Sequence, residues 1–507
     1  MPSGPMDDDG LTMEQEAGRP NDPSNLDVVV AIVPTTVLLA LSVALFGSDS
    51  SSGANQIALV IGAALATMVG VKNGHSWKVI EENIVGGIST AMPAIMILLS
   101  VGSLIGVWML SGTVPTMIYY GLLLLEPAVF YAASCLLCAV TALSIGSSWT
   151  VAGTLGIGLI GVAAGLELSL PITAGAIISG AYFGDKLSPL SDTTNLAPAV
   201  TEIDIFTHIR HMTWTTLPSF VFALGAFTAI GLMESTPETQ TSLRVTLETL
   251  DEAFAINPLM LLPVALVVLL AGRKKPAVAC ILAGVALGIL MALVYQRPAI
   301  VRFADDASLG PTVAALKAIW IVLFDGYAGS TGEANLDELL SRGGMSSMLN
   351  TVWLILAAMT FGAAMEQAGV LRRLVHALAS AARSTGNLIA TTLVTCIGVN
   401  VLAADQYMSI VLTGRMFRSE YRRRGLHEKN LARTLEDGGT ITSPLVPWNT
   451  CGAYMAATLG VPTLAYLPFC FFNLANPFVS AAYGYAGFKI EPLKPGGEGE
   501  AAPSRAQ

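Results

Sequence analysis

The chain has 507 residues, of which 53% are hydrophobic and only 12% charged, with a mean hydropathy of +0.64. A soluble protein of this length carries roughly twice that charge, so the composition excludes a soluble enzyme or binding module and makes the lipid bilayer the solvent. The net charge of −10 sits mostly in a tail and in loops, and nothing in it points to a nucleic-acid partner.

Residues 1–27 hold seven acids, among them Asp7, Asp8, Asp9 and Glu14, against the single base Arg19. With no apolar run to fold around, they read as a disordered cytoplasmic tail, and the basic start and apolar stretch of a secretory signal are missing. Hydropathy then places simple spans near 28–46, 55–71, 84–110, 213–233, 257–272, 276–295, 346–369 and 461–488. Lys72, Lys78, Arg273-Lys274-Lys275, Arg372, Arg373, Arg383 and the basic cluster from Arg418 to Arg433 are expected on the cytoplasmic side, and the acidic loop 234–256 outside. The apolar segment 311–325, with Lys317 inside it, suits an interfacial helix.

A single crossing by 387–416 would strand the Arg418 to Arg433 cluster outside, so this stretch is read as a re-entrant hairpin with its tip near Asn400 to Asp405. The same logic makes 128–165 a hairpin from the opposite side, turning at Ser144 to Ser148. Ser188-Pro189-Leu190 recurs as Ser443-Pro444-Leu445, and Ser111-Gly112-Thr113-Val114 resembles Gln367-Ala368-Gly369-Val370. The expected fold is an all-α polytopic membrane protein of two inverted repeats, 28–233 and 257–488, each with five spans, a hairpin and a broken helix. The broken helices are 171–200 and 435–458, and a cytoplasmic tail, 489–507, closes the chain.

Polar residues at membrane depth carry the chemistry. Gly184-Asp185-Lys186-Leu187-Ser188-Pro189-Leu190-Ser191-Asp192-Thr193-Thr194-Asn195 lies between apolar runs, and Pro189 must break the helix there. Freed carbonyls, hydroxyls and a carboxylate form the hard-oxygen cage that a small dehydrated cation needs. The counterpart, Asp437 to Thr450, has two prolines and a double glycine and is expected to unwind too. Ser144, Gly146, Ser147 and Ser148 at one hairpin tip, and Asn400, Asp405 and Gln406 at the other, then converge on Ser443, Trp448, Asn449 and Thr450 near the midplane. Asp185, Asp192 and Asp405 are the proton-coupling candidates, since intramembrane carboxylates are functional by default. Glu366 reads as a solvated or paired acid near Arg372 and Arg373, and His208 and His211 as interfacial. The six cysteines have no metal spacing beyond one Cys-x-x-Cys and read as packing.

The strings GDKLSPLSDTTN (184–195), DQYMSIVLTGRMF (405–417), LARTLEDGGTITSPLVPWNTCGAYMA (431–456) and PTLAYLPFCFFNLANPFVSAAYGYAGF (462–488) resemble the NhaC family of sodium/proton antiporters. The resemblance extends over most of residues 28–490. It implies hairpins and broken helices gathered into a transport domain beside a scaffold domain, in a homodimer that works as an elevator in the plasma membrane. It implies a sodium site among Asp185, Ser188, Asp192, Thr193, Thr194 and Asn195, with Ser443, Asn449 and Thr450. The sequence departs from the family's glycine-rich approach to Asp405 by carrying Ala403-Ala404.

Family relatives also include exchangers of organic acids and of amino acids, so an organic-anion exchanger is the second reading, with Lys186, Asn195, Trp448 and Asn449 as donors to a carboxylate. Pro447 stands where the second half would match Asp192, which leaves that reading open. An intramembrane aspartyl protease explains the same residues less well, since it needs two carboxylates sharing a proton. A channel would separate from an exchanger by its flux and by the absence of proton coupling. No His-Glu-x-x-His or Walker-type motif is present, so transport is expected to run on gradients without a cofactor.

Overall fold

The computed structural model describes residues 21–234, 240–306, 308–329, 331–332 and 334–493. Most of the acidic N-terminal tail, the start of the acidic loop and most of the C-terminal tail therefore lie outside the described residues. Within them the chain is helical, with two isolated bridges, Tyr327 with Arg342 and Leu426 with Pro492. Nine described helices are long and apolar enough to cross a membrane, or eleven if two bent pairs each count as one span.

The first half comprises α1 (Asn25–Phe46), α2 (Ala54–Lys72), α3 (Trp77–Leu110), α4 (Thr113–Leu124), α5 (Phe130–Ile145), α6 (Ser148–Gly165), α7 (Leu170–Leu187), α8 (Asp192–Thr201) and α9 (Ile205–Glu234). The middle carries α10 (Gln240–Ala253), α11 (Leu262–Gly272), α12 (Ala277–Tyr295), α13 (Arg297–Ala304), α14 (Pro311–Phe324) and α15 (Ala334–Leu340). The second half continues with α16 (Leu349–Gln367), α17 (Val370–Ala381), α18 (Thr385–Leu402), α19 (Gln406–Arg423), α20 (Glu428–Leu435), α21 (Thr450–Leu459), α22 (Thr463–Tyr466) and α23 (Phe471–Ala486).

The packing is that of a protein in lipid. On α1 the large side chains Val29, Val33, Val37, Leu41 and Leu45 are exposed, while Ala31, Thr35, Leu39 and Ser42 face the protein. Lipid removes any penalty for the outward row, and small inward residues let helices approach closely. The closest approach is α5 on α7. A Cβ on Gly180 would lie 2.0 Å from the Cys135 carbonyl oxygen, and one on Gly184 would lie 2.2 Å from that of Ala139. This contact holds the end of α7, where the chain breaks, against the tip of the α5–α6 pair.

Polar contacts gather chain ends from distant elements. Lys72 pairs with Asp27 at 2.5 Å, Gln367 bonds His75 at 2.9 Å, and Arg373 bonds Asn25, all at one end of the helices. At the other, Gln56 meets Asn350, and Gln296 meets Ser111 and the Ala255 backbone. These contacts fix which helix ends lie together and hence the order of crossings.

Several expectations need correction. The segment 461–488 is not a simple span: α22, with the turn that follows it, meets α23 at 57°. Leu467-Pro468-Phe469 forms a 3-10 turn there, because Pro468 withholds an amide from an α-helical ladder. The segment 257–272 is short and bent by 86° from α10. Two spans start earlier than hydropathy places them. Ser76 caps α3 and the Asp204 carboxylate takes the Thr207 amide at the head of α9, so polar first turns are helical. His208 and His211, in the first turns of α9, are buried among helices, and both His208 ring nitrogens lack a hydrogen-bond partner among the described residues. Segment 311–325 does form a short apolar helix, α14, with Lys317 paired to Asp306 at 3.1 Å.

Candidate functional site

The first break spans 188–191. The Ser188 amide still reaches the Asp185 carbonyl, and the Thr194 hydroxyl donates to the carbonyls of Asp185 (3.2 Å) and Lys186 (3.0 Å), closing the helix end that Pro189 opens. Ser191 caps α8 by accepting the Thr194 amide, and its hydroxyl meets that of Thr193 at 3.2 Å. The α5–α6 tip turns at Gly146-Ser147. Gly146 has φ +76°, and a Cβ there would lie 2.6 Å from the Leu190 carbonyl carbon, so only glycine lets the tip seat on the break. Ser147 caps α6 through the Thr150 amide at 3.2 Å. From this tip the Ser148 amide (3.0 Å) and hydroxyl (2.6 Å) both donate to the Asp185 carboxylate.

The second break, 446–449, follows a π turn at Glu436–Thr440 and a 3-10 turn at Ser443–Leu445. Its partner is the α18–α19 turn. Asn400 donates to the Gly439 carbonyl (2.7 Å) and the Thr442 hydroxyl (3.0 Å), and Asn449 donates back to the Asn400 carbonyl (3.2 Å). The Trp448 indole donates to the Val401 carbonyl (2.8 Å), and the Thr450 amide to that of Ala404 (3.0 Å). Ser443 donates to the Gln406 side chain at 3.2 Å. Asp405 caps α19 by accepting the Met408 amide at 2.9 Å, and the Thr450 side chain faces its carboxylate. Ala404, just before it, has φ +57°, the left-handed conformation that glycine adopts most easily, which is the physical counterpart of the departure at Ala403-Ala404.

The two assemblies meet. Trp149, next to the first tip, stacks on Tyr454 of α21 with centroids 4.0 Å apart, and the Tyr454 hydroxyl donates to the Trp149 carbonyl at 2.9 Å. The carboxylates of Asp185, Asp192 and Asp405 all lie within electrostatic reach of the Tyr407 phenol. Asp185 and Asp405 are half-buried, while Asp192 and Tyr407 are exposed, so the cluster is open on one side. Three acids, from the last turn of α7, the head of α8 and the cap of α19, thus lie near one phenol, with the Ser148 hydroxyl on Asp185.

Other expected residues are engaged in local hydrogen bonds or differ in their partners. Ser144 is exposed and bonds its own helix at the Val140 carbonyl (2.9 Å). Asn195 is exposed, with its amide on the carbonyls of Pro189 (3.0 Å) and Ser191 (2.6 Å). The Ser188 hydroxyl is buried and accepts the Leu190 amide. Glu366 is exposed, and its opposing charge is Arg415; Arg372 and Arg373 instead reach Asp22 and Asn25. The cysteines are free, buried thiols, and no cluster of three or more His, Cys, Asp or Glu side chains among the described residues fits a metal.

One central group escaped the sequence. Lys186 and Asp437 form an ion pair with neither side chain exposed, and Lys186 also donates to Asn476 (2.8 Å) while Thr215 donates to Asp437 (3.1 Å). Asp437 was visible inside a polar string, but its partner lies 251 residues away. Asn476 was hidden in an apolar span.

Comparison with known proteins gives one family. Residues 180–488 match the Na+/H+ antiporter family model. The chain is 39% identical to the Na+/H+ antiporter NhaC of Alkalihalophilus pseudofirmus, over 86% of this chain and 90% of that one. It is 36% identical to the malate-2H+/Na+-lactate antiporter of Bacillus subtilis (85% and 89% covered) and 35% identical to the arginine/ornithine antiporter ArcD of Halobacterium salinarum (92% and 93% covered).

Proposed function

The chain belongs to the NhaC family of Na+/H+ antiporters, a family of membrane transporters and not of enzymes, and on that premise we propose that it exchanges sodium or lithium for protons. The observation that carries this reading is the convergence of Asp185, Asp192 and Asp405 around Tyr407, where two chain breaks meet two helix-turn-helix tips. A carboxylate at such a place holds either a cation or a proton. Competition at one site then couples the two flows without a second machine.

In this reading Asp185 is the central ligand, oriented by Ser148, with Asp192 at the open side and Asp405 held by the α19 amides and Thr450. Thr193, Thr194, Ser147, Gln406 and Ser443 shape the surrounding oxygen shell. Asn400, Trp448 and Asn449 position the second tip in this reading: the indole offers a cation no oxygen, the Asn449 side-chain oxygen accepts the Cys451 amide, and that of Asn400 accepts from Asn449.

The architecture proposed with it is two inverted repeats, 28–233 and 257–488, with α5–α6 and α18–α19 as re-entrant hairpins. Its support is the matching order of elements: a left-handed glycine, Gly112 or Gly369, then a 12-residue helix, a helix-turn-helix, a broken helix and a closing span. The transport unit would hold the hairpins and breaks and move as an elevator against a scaffold containing α1–α3 and α16. A homodimer in the plasma membrane, with both chain ends on the cytoplasmic side, completes the proposal.

The organic-anion reading has the weaker support. Lys186 is neutralised by Asp437, and Asn195, Trp448 and Asn449 are hydrogen-bonded to backbone. The test is proton movement in proteoliposomes carrying a pH-sensitive dye, with sodium, lithium, potassium, malate, lactate and amino acids added in turn. A response to sodium or lithium alone is expected. Silence with the cations and exchange with an organic acid would overturn the proposal.

A further inference from the structure

A second acidic centre lies beside the Lys186–Asp437 pair and takes no part in the cluster around Tyr407. Glu436 opens the π turn that follows α20; its side chain is fully buried, the Thr440 hydroxyl of the same turn faces it, and neither carboxylate oxygen has a partner at hydrogen-bond geometry among the described residues. An ionised carboxylate without a donor is among the most expensive groups to bury, and such a group must bind a cation, find a partner or take up a proton.

The surroundings decide between these. The charged and titratable groups facing Glu436 are Lys186 and Asp185 from α7, Asp437 on its own turn and Cys396 from α18. The Lys186 ammonium already bonds Asp437 and Asn476, and its charge repels a metal cation at this point. Arg433, one turn earlier, faces Asp437, Tyr421 of α19 and Tyr483 of α23, and donates to the Lys489 carbonyl at 3.0 Å. From α9, His208 faces Lys186 and not Glu436. Among the described residues no cation is therefore placed to pair with Glu436 directly, and a proton satisfies it by neutralising the carboxylate.

We propose that Glu436 is a buried proton-binding site, distinct from the carboxylates around Tyr407, which holds a proton in the resting protein and exchanges it with water during the transport cycle. The inference deepens the exchange reading and rests on it for the role in the cycle. Gly438 and Gly439, which directly follow the acid and its partner, pack against Leu393 and Cys396 of α18 and Ser409 and Ile410 of α19, so water reaches the acid only when these helices move off the π turn.

The test is infrared difference spectroscopy on the full-length protein reconstituted in lipid, between neutral and alkaline buffer. Samples are unlabelled or carry carboxyl-13C glutamate or aspartate. The expected result is a protonated-carboxyl C=O band that disappears in alkaline buffer, shifts with the glutamate label alone and is missing in Glu436→Gln. The proposal is overturned if the wild type has no such band, if the band follows the aspartate label, or if it survives in Glu436→Gln. The labelled wild type decides the first two outcomes even if the variant fails to fold. The band does not depend on transport, so a negative spectrum leaves cation/proton exchange standing, and silent proteoliposomes leave a positive spectrum standing.

Discussion

Lys186 and Asp437 sit on opposite sides of the chain's midpoint and form a buried ion pair at the meeting of the two broken helices. Their mutual attraction is tied to Asn476 and Thr215, which satisfy further hydrogen-bonding positions of the pair. Removing one partner leaves an uncompensated buried charge. Lys186→Met or Asp437→Leu is expected to destabilise the protein by about 3–5 kcal/mol, while the double replacement Lys186→Met/Asp437→Leu costs much less than the sum. Thermal unfolding in detergent of the four proteins checks this, and additive losses would contradict it.

The Ser148 hydroxyl and amide aim the Asp185 carboxylate. Ser148→Ala removes one hydrogen bond to a charged group, worth about 1.5–3 kcal/mol, so the half-saturating sodium concentration should rise roughly 10- to 100-fold. Sodium titration of exchange in proteoliposomes reads it directly. An unchanged half-saturation would remove Asp185 as the central ligand.

Ala404 holds a left-handed backbone just before the Asp405 cap. A Cβ in that conformation costs about 1–2 kcal/mol, against which glycine loses about 0.5–1 kcal/mol of chain entropy on folding. Ala404→Gly should therefore be neutral or stabilising by up to about 1 kcal/mol. Gly146→Ala, at φ +76° against the Leu190 backbone, should be strongly destabilising. Paired melting curves test the contrast, and a stabilised Gly146→Ala would mean that the tip does not seat on the first break.

Arg418 on α19 bonds Glu202, the residue after α8, and holds its carboxyl below the usual carboxylate range. A depressed folded pKa means that the contribution is present above the ordinary range and is lost as pH falls through the depressed one. The melting temperature of the wild type should consequently drop more steeply on acidification than that of Glu202→Gln, and high salt should narrow the gap. Parallel curves for the two proteins would exclude the contact.

The sequence discloses what local chemistry dictates. Pro189 marks the first break, Gly146-Ser147 the first tip and the Asp405 string the second, because proline, glycine and capping residues act on their own neighbourhoods. Contacts across the fold are another matter. Glu436 stands next to the basic cluster and outside the polar string that begins at Asp437, and nothing local reveals that α20 is packed on nearly every side. His208 and His211 look interfacial because a hydropathy window ends before the capped first turn of α9. The kink before α23 escapes for a similar reason, since one proline scarcely changes an average over an apolar run. Ser144 shows the converse: a hydroxyl one turn from the tip donates back onto its own helix, which a sequence string does not show.

The central claim is that sodium and protons compete for the acids around Tyr407. It is tested most directly by adding sodium to the detergent-purified protein in weakly buffered solution and measuring proton release. The account predicts release in the wild type, loss in Asp185→Asn, and reduced or lost release in Asp192→Asn and Asp405→Asn. Sodium binding with no proton release in the wild type, or undiminished release when all three acids are amides, would contradict it.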